Sequence, residues 1–130
     1  MSKQEKDLKY IGLMLENISN LKKDVKWLSS QGQNLSDERS LRLLSFSLEQ
    51  IGEQVSRNRL SKEIQSKYQY SWGKVLGLRV MIAHNYGNVE PLQIINIIKN
   101  DIPQLEELLL KMENDLYKEL YYDNEGEEVI

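Results

Sequence analysis

Apolar residues recur at steps of three and four through most of the chain, and no other feature restricts the fold as much. A step of three or four places side chains on one face of an α-helix, whereas a half-buried strand needs alternation, which no segment here shows. The spacing therefore predicts an all-α fold, most simply an up-and-down four-helix bundle with a short additional helix. The two clearest stripes are Leu8, Ile11, Leu15, Ile18, Leu21, Val25 and Leu28, followed by Leu41, Leu44, Leu48, Ile51 and Val55.

Capping residues mark where these two helices begin. Ser2 and Glu5 have the spacing of a capping box ahead of the first stripe, and Ser36 or Asp37 is placed to cap the second helix. A short helical segment of one or two turns is expected between residues 60 and 68.

Two more helices follow from the remaining sequence. Ser71 can cap a helix that stops near "HNYGN", where Asn and Gly favour a helix end. The last helix begins with Pro91 in its first turn and runs to about residue 120. Because Pro103 lacks the N–H that the helical ladder uses, we expect a kink or a division there, with Asp101 capping the second half.

Length and composition indicate one soluble domain. A chain of 130 residues is too short for two cores, so we expect a single domain over residues 1–120 and a fraying acidic tail over 121–130. The apolar runs are too short for a signal peptide or a membrane span, and cysteine is absent, which predicts a cytoplasmic protein without membrane contact. With one histidine and no cysteine, a zinc site of nitrogen and sulfur ligands is excluded within one chain, and we expect no metal or other cofactor.

Basic residues concentrate just ahead of a polar motif, although the formal net charge is −3. Between residues 55 and 79 there are six basic residues and one acid, whereas seven acids and one lysine follow from residue 113 onward. Such a segment is ordinarily a solvated helix face. This one leads into "RVMIAHNY", which contains Arg79, Tyr86 and the single histidine of the chain, His84.

The motif allows a structural and a catalytic interpretation. On an ideal helix Arg79 and His84 are about 140° apart, so they converge only if the helix ends near His84. A histidine at a helix end is stabilised by the helix dipole, Arg79 can pair with a carboxylate, and Tyr86 can fill the end of the bundle. Acid and base catalysis on a phosphodiester needs two groups that titrate near neutrality, and a symmetric dimer would supply two copies of His84.

The motif has the form Arg-x4-His-x-Tyr and resembles the signature of HepT-type toxins in the HEPN (higher eukaryotes and prokaryotes nucleotide-binding) superfamily. The segments "LEQIGEQV", "YSWGKVLGLR" and "IIKNDIPQLEELL" resemble the family in the same order, so the resemblance covers roughly residues 8 to 115. It implies an all-α homodimer in which Arg79 and His84 of both subunits line a cleft that cuts RNA without metal. His84 would activate the ribose 2′-hydroxyl or protonate the leaving oxygen, and Arg79 would stabilise the transition state.

The resemblance also implies a partner and a means of regulation. HepT-type toxins are commonly encoded with an MNT-type nucleotidyltransferase antitoxin, in type VII-like HepT/MntA toxin-antitoxin systems. The antitoxin transfers AMP from ATP to the motif tyrosine, which is Tyr86 here. A bulky anion two residues from His84 would block the cleft and repel an RNA phosphate.

Two positions differ from the pattern of RNA-cutting members of the family. Val80 follows the arginine where a polar residue is usual, and Phe46 stands where many members have an arginine. Arg42 and Glu53 are possible supporting residues in their place. These differences favour an alternative in which the chain is a catalytically weak or inactive HEPN dimer that serves as the binding partner of a nucleotidyltransferase. A purely structural helical dimer would require the motif to be a coincidence.

Overall fold

The protein is described here by a computed structural model that covers residues 1–56, 58–85 and 90–122, with side chains for all of these except residues 83–85. No strand occurs in these ranges, and the predicted all-α fold is confirmed. The described residues form six helices, and the last two are continuous through a π-helical segment, so the bundle has four long helical elements and one short helix. The helices are α1 (Lys3–Ser30), α2 (Glu38–Glu53), α3 (Lys62–Lys67), α4 (Trp72–Asn85), α5 (Pro91–Asn96) and α6 (Ile102–Tyr121), with a π-helical segment, Ile97–Asp101, joining the last two.

The predicted helix starts agree with the structure. The capping box of α1 is formed, because the Glu5 N–H donates to Ser2 Oγ and the Ser2 N–H donates to Glu5 Oε1. Asp37, and not Ser36, caps α2 by accepting the N–H of Ser40 at 3.0 Å. The second apolar stripe extends beyond its helix, since α2 ends at Glu53 and Val55 is buried in the connection that follows.

The last helix adapts to its internal proline without breaking. Pro91 stands in the first turn of α5, as predicted. Ahead of Pro103 the helix widens into the π-helical segment, a local change that accommodates the missing N–H of proline. Asp101 keeps helical angles, φ −78° and ψ −42°, and makes no capping hydrogen bond through its side chain. The predicted cap at Asp101 is therefore wrong, because the chain does not leave the helical conformation there.

The core lies where α1 packs against α2 and α6, and where α2 packs against α4. The ion pair between Lys22 and Glu106 joins α1 to α6. Asp7, near the start of α1, lines the same pocket as Leu116, near the end of α6, so the two helices run antiparallel. Within the described ranges no helix is both long and apolar enough to cross a membrane. The fully buried side chains at the centre of the core include Met14, Ile18, Leu44, Leu48, Ile51, Leu109 and Met112.

Candidate active site

Helices α2 and α4 approach each other closely at Gly52, in the last turn of α2. A Cβ atom added there would lie 2.7 Å from the backbone nitrogen of Arg79 and 2.8 Å from the carbonyl oxygen of Val75. Side chains essentially never make contacts this short with backbone atoms, so only glycine permits the approach. The packing of α2 therefore fixes the backbone of α4 at Arg79.

The next residue of α2, Glu53, fixes the direction of the Arg79 side chain. Its Oε2 forms an ion pair with Nε of Arg79. The Arg79 side chain is 45% exposed, so solvent reaches the guanidinium while the carboxylate holds it. A pair this exposed adds little to stability, and its main effect is orientation. Because a guanidinium carries five N–H donors, Arg79 can remain paired with Glu53 while it binds a phosphate oxygen.

A second arginine shares the same carboxylate. Nε of Arg59, in the connection between α2 and α3, lies 3.5 Å from Oε1 of Glu53. The Arg59 guanidinium also donates to Oε1 of Gln54 at 3.1 Å, and Gln54 is itself buried and bonded to the carbonyl of Gln50. Glu53 thus stands between two guanidinium groups, Arg59 on one oxygen and Arg79 on the other.

Arg42, the other possible supporting residue, lies in a different part of α2. Its guanidinium donates to Oε1 of Glu38 at 2.9 Å, one turn earlier on the same helix, and both side chains are largely exposed. Arg42 precedes Glu53 by three turns, about 16 Å along the helix axis. The structure does not bring it to the pair of Glu53 and Arg79 within one chain, and its supporting role stays a prediction.

The other two motif residues are described only in part. The backbone at His84 is helical, and α4 is described as far as Asn85, so the helix end predicted at "HNYGN" falls at the limit of the described residues and stays a prediction. The side chain of His84 and the whole of Tyr86 lie outside the described residues, as do residues 123–130 of the acidic tail. The roles assigned to His84 and Tyr86 therefore stay predictions.

The two positions that differ from the family pattern are exposed apolar residues. Phe46 is 64% exposed and Val80 is 46% exposed. Phe46 lies two turns before Glu53, on the same face of α2, and Val80 directly follows Arg79. Both apolar side chains therefore lie on the two helices that carry the ion pair, Phe46 on α2 and Val80 on α4.

A cleft of about 520 Å³ separates α4 from the C-terminal helix, but it does not include Arg79. Lys74, Leu78 and Met81 line it from α4, and Asp101 contributes from the π-helical segment. Burial, together with the nearby Asp101 carboxylate, raises the pKa of Tyr70, which also lines this cleft. The cleft and the ion pair of Glu53 with Arg79 therefore use different sides of α4.

Sequence reasoning missed the roles of Gly52 and Arg59. Gly52 was visible only as part of the segment "LEQIGEQV", and nothing in the sequence indicates which helix it contacts. Arg59 belonged to the basic segment between residues 55 and 79, which favoured a solvated surface. The signal that could have identified Arg59 is its position six residues after Glu53, beyond a helix end, where the chain can turn back.

Comparison with protein families gives one result that bears on this site. The family described as "Ribonuclease HepT-like", which is HEPN-related, matches residues 14–112, about three quarters of the chain. The corresponding comparison with solved structures found no match. Because the family match covers most of the chain and spans the whole Arg-x4-His-x-Tyr motif, the chain belongs to the HepT-like ribonuclease family, and the resemblance inferred from its sequence is confirmed.

Proposed function

We propose that the chain is the toxin of a type VII-like toxin-antitoxin system, a metal-independent endoribonuclease that acts as a homodimer. The observation that carries this proposal is the Arg79 guanidinium, which Glu53 orients on the same helix that contains His84. Membership in a ribonuclease family supports the assignment of this geometry to RNA cleavage.

The chemistry divides between the two motif residues. The imidazole of His84 in one subunit takes the proton of a ribose 2′-hydroxyl as its oxygen attacks the adjacent phosphorus. The imidazolium of the other subunit then protonates the 5′-oxygen as its bond to phosphorus breaks, so the proton balance closes. Arg79 binds the non-bridging phosphate oxygens, where negative charge grows in the transition state.

The dimer is part of the proposal because one chain has a single histidine. Leu43, Phe46 and Val80 are apolar and exposed on α2 and α4, which supports an interface that includes the motif helix. Sedimentation at micromolar concentration should give the mass of two chains. A monomer under these conditions would remove the composite site.

Cleavage is tested with the purified protein, RNA and two variants. His84→Ala should lower the cleavage rate by about two to four orders of magnitude, because it removes the proton-exchanging group. Arg79→Ala should also abolish cleavage and growth inhibition. Thermal melting and dimer mass should change little, since Arg79 is half exposed and its ion pair adds little stability. A large drop in melting temperature for His84→Ala would instead identify the imidazole as a structural group.

Regulation by an MNT-type nucleotidyltransferase antitoxin is the second half of the proposal, with Tyr86 as the AMP acceptor. Incubation with the partner and ATP should add the mass of one or more AMP groups to the wild type and none to Tyr86→Phe. Equal labelling of the variant would move the site to another residue, and Tyr121 and Tyr122 are the first alternatives. Their rings pack against Tyr117 near the end of α6.

A second candidate function is a catalytically weak or inactive HEPN dimer that serves as the binding partner of a nucleotidyltransferase. The exposed apolar side chains of Phe46 and Val80 favour it, because polar groups at these positions would contribute to binding a phosphate. Purified wild type that cuts no RNA but binds the nucleotidyltransferase would replace the first function with this one.

A further inference from the structure

A cluster of cations and one aromatic ring lies beside the pair of Glu53 and Arg79. The Arg59 guanidinium carbon lies 5.7 Å from the centre of the Tyr10 ring, and Nζ of Lys9 lies 5.6 Å from the same centre. Both distances are typical of cation-π contacts. Glu53 connects Arg59 to Arg79 on α4, and Arg59 in turn contacts Tyr10 on α1.

The position of Arg59 is set by its backbone as well as by its side chain. Asn58 has a positive φ of 66°, which reverses the chain after α2. The N–H of Arg59 then donates to the carbonyl of Ser56, and the N–H of Leu60 donates to the carbonyl of Gln54. This backbone, together with the contacts of the guanidinium to Glu53 and Gln54, holds the Arg59 side chain in place before any ligand binds. A side chain that is already ordered lowers the entropy cost of binding.

Charge in the cluster favours an anion. Lys9, Arg59 and Arg79 supply three positive charges against the one negative charge of Glu53. The Arg59 side chain is 36% exposed, so a ligand can reach it. Since Arg59 and Arg79 contact the two oxygens of one carboxylate, an anion on Arg59 lies next to an anion on Arg79. A strand of RNA carries such adjacent anions on successive phosphates.

We propose that Arg59, oriented by Tyr10 and assisted by Lys9, is an RNA-binding subsite for a phosphate that neighbours the one at Arg79. The inference rests on the proposed function, because it takes Arg79 as the residue that binds the cleaved phosphate. Tyr10 is a positioning residue, since its ring is partly buried and carries the two cations on its face.

Binding is measured by fluorescence anisotropy with a labelled single-stranded 2′-O-methyl RNA oligonucleotide, which cannot be cleaved. Arg59→Ala should weaken binding several-fold and reduce the slope of log affinity against log salt by about 0.7, the value for one phosphate contact on a single strand. Arg59→Lys should retain the slope. The matched control is Arg39→Ala, which removes one exposed arginine about 21 Å from Glu53 along α2 and should change neither quantity.

A double mutant separates direct binding from an effect through the shared carboxylate. In the Glu53→Gln background, Arg59→Ala should still weaken binding and reduce the salt slope. If the effect disappears in that background, Arg59 acts only by positioning Glu53, and the subsite is refuted. Equal affinity and slope for the wild type and Arg59→Ala would refute it as well.

The same oligonucleotide with 2′-hydroxyl groups distinguishes this inference from the proposed function. Binding that depends on Arg59 without cleavage would refute the ribonuclease and retain the subsite. Cleavage by the wild type that Arg59→Ala leaves unchanged, together with unchanged binding, would retain the ribonuclease and refute the subsite. Circular dichroism melting of each variant verifies that the fold is intact.

Discussion

Replacement of Gly52 by alanine should destabilise the protein, although alanine is the better helix former. Inside a helix the exchange ordinarily gains up to about 1 kcal/mol. Here the new methyl group would meet two backbone atoms of α4 at 2.7 and 2.8 Å, well inside ordinary van der Waals contact. Backbone atoms cannot rotate away as a flexible side chain can, so α2 and α4 must move apart.

The expected magnitude follows from these two opposing effects. Overpacking of a well-packed contact costs about 1–3 kcal/mol, and two backbone contacts place Gly52→Ala toward the upper end. After the gain in helix propensity, we expect a net loss of about 1–2 kcal/mol in the free energy of unfolding. For a domain of this size the melting temperature should fall by roughly 3 to 8 °C. Displacement of Arg79 from Glu53 should also lower RNA cleavage.

The matched control is Gly77→Ala on α4, where an added Cβ meets nothing within 4 Å. This variant should gain up to about 1 kcal/mol, so the same substitution should change stability in opposite directions at the two positions. Both are measured by chemical denaturation and thermal melting of the purified protein at equal protein concentration. A Gly52→Ala protein as stable as Gly77→Ala would refute the close approach of α2 and α4.

Two further predictions concern the end of the bundle near α3. Asp7 is buried and accepts hydrogen bonds from both the backbone N–H and the hydroxyl of Ser61, at 2.7 and 2.6 Å. Asp7→Ala should therefore lower the free energy of unfolding by about 2 kcal/mol. An unchanged denaturation midpoint would contradict this. Burial is the main cause that raises the pKa of Tyr68, and the hydrogen bond to Asp115 is the next. The Tyr68 phenol therefore contributes fully to stability below the ordinary tyrosine pKa of about 10, and this contribution is lost as the pH rises above that value. The denaturation midpoint of the wild type should therefore fall more steeply above pH 10 than that of Tyr68→Phe, and parallel curves would show that the phenol does not couple to folding.

Local sequence determined the helices and most of their ends. The apolar spacing predicted each long helix, and Ser2, Asp37 and Pro91 stand at the helix starts where capping rules place them. These features depend on neighbours within a few positions along the chain, so the sequence alone contains what is needed to predict them.

Only the tertiary structure decided how the helices meet and what surrounds the motif. Gly52 matters because α4 passes beside it, and Arg59 matters because the chain turns at Asn58 and returns it to Glu53. The π-helical segment replaced the predicted cap at Asp101, since the backbone keeps helical angles through Asp101 and Ile102. Contacts of this kind join residues that are far apart in the chain, and their partners depend on how side chains fill the core, which spacing and capping patterns do not specify.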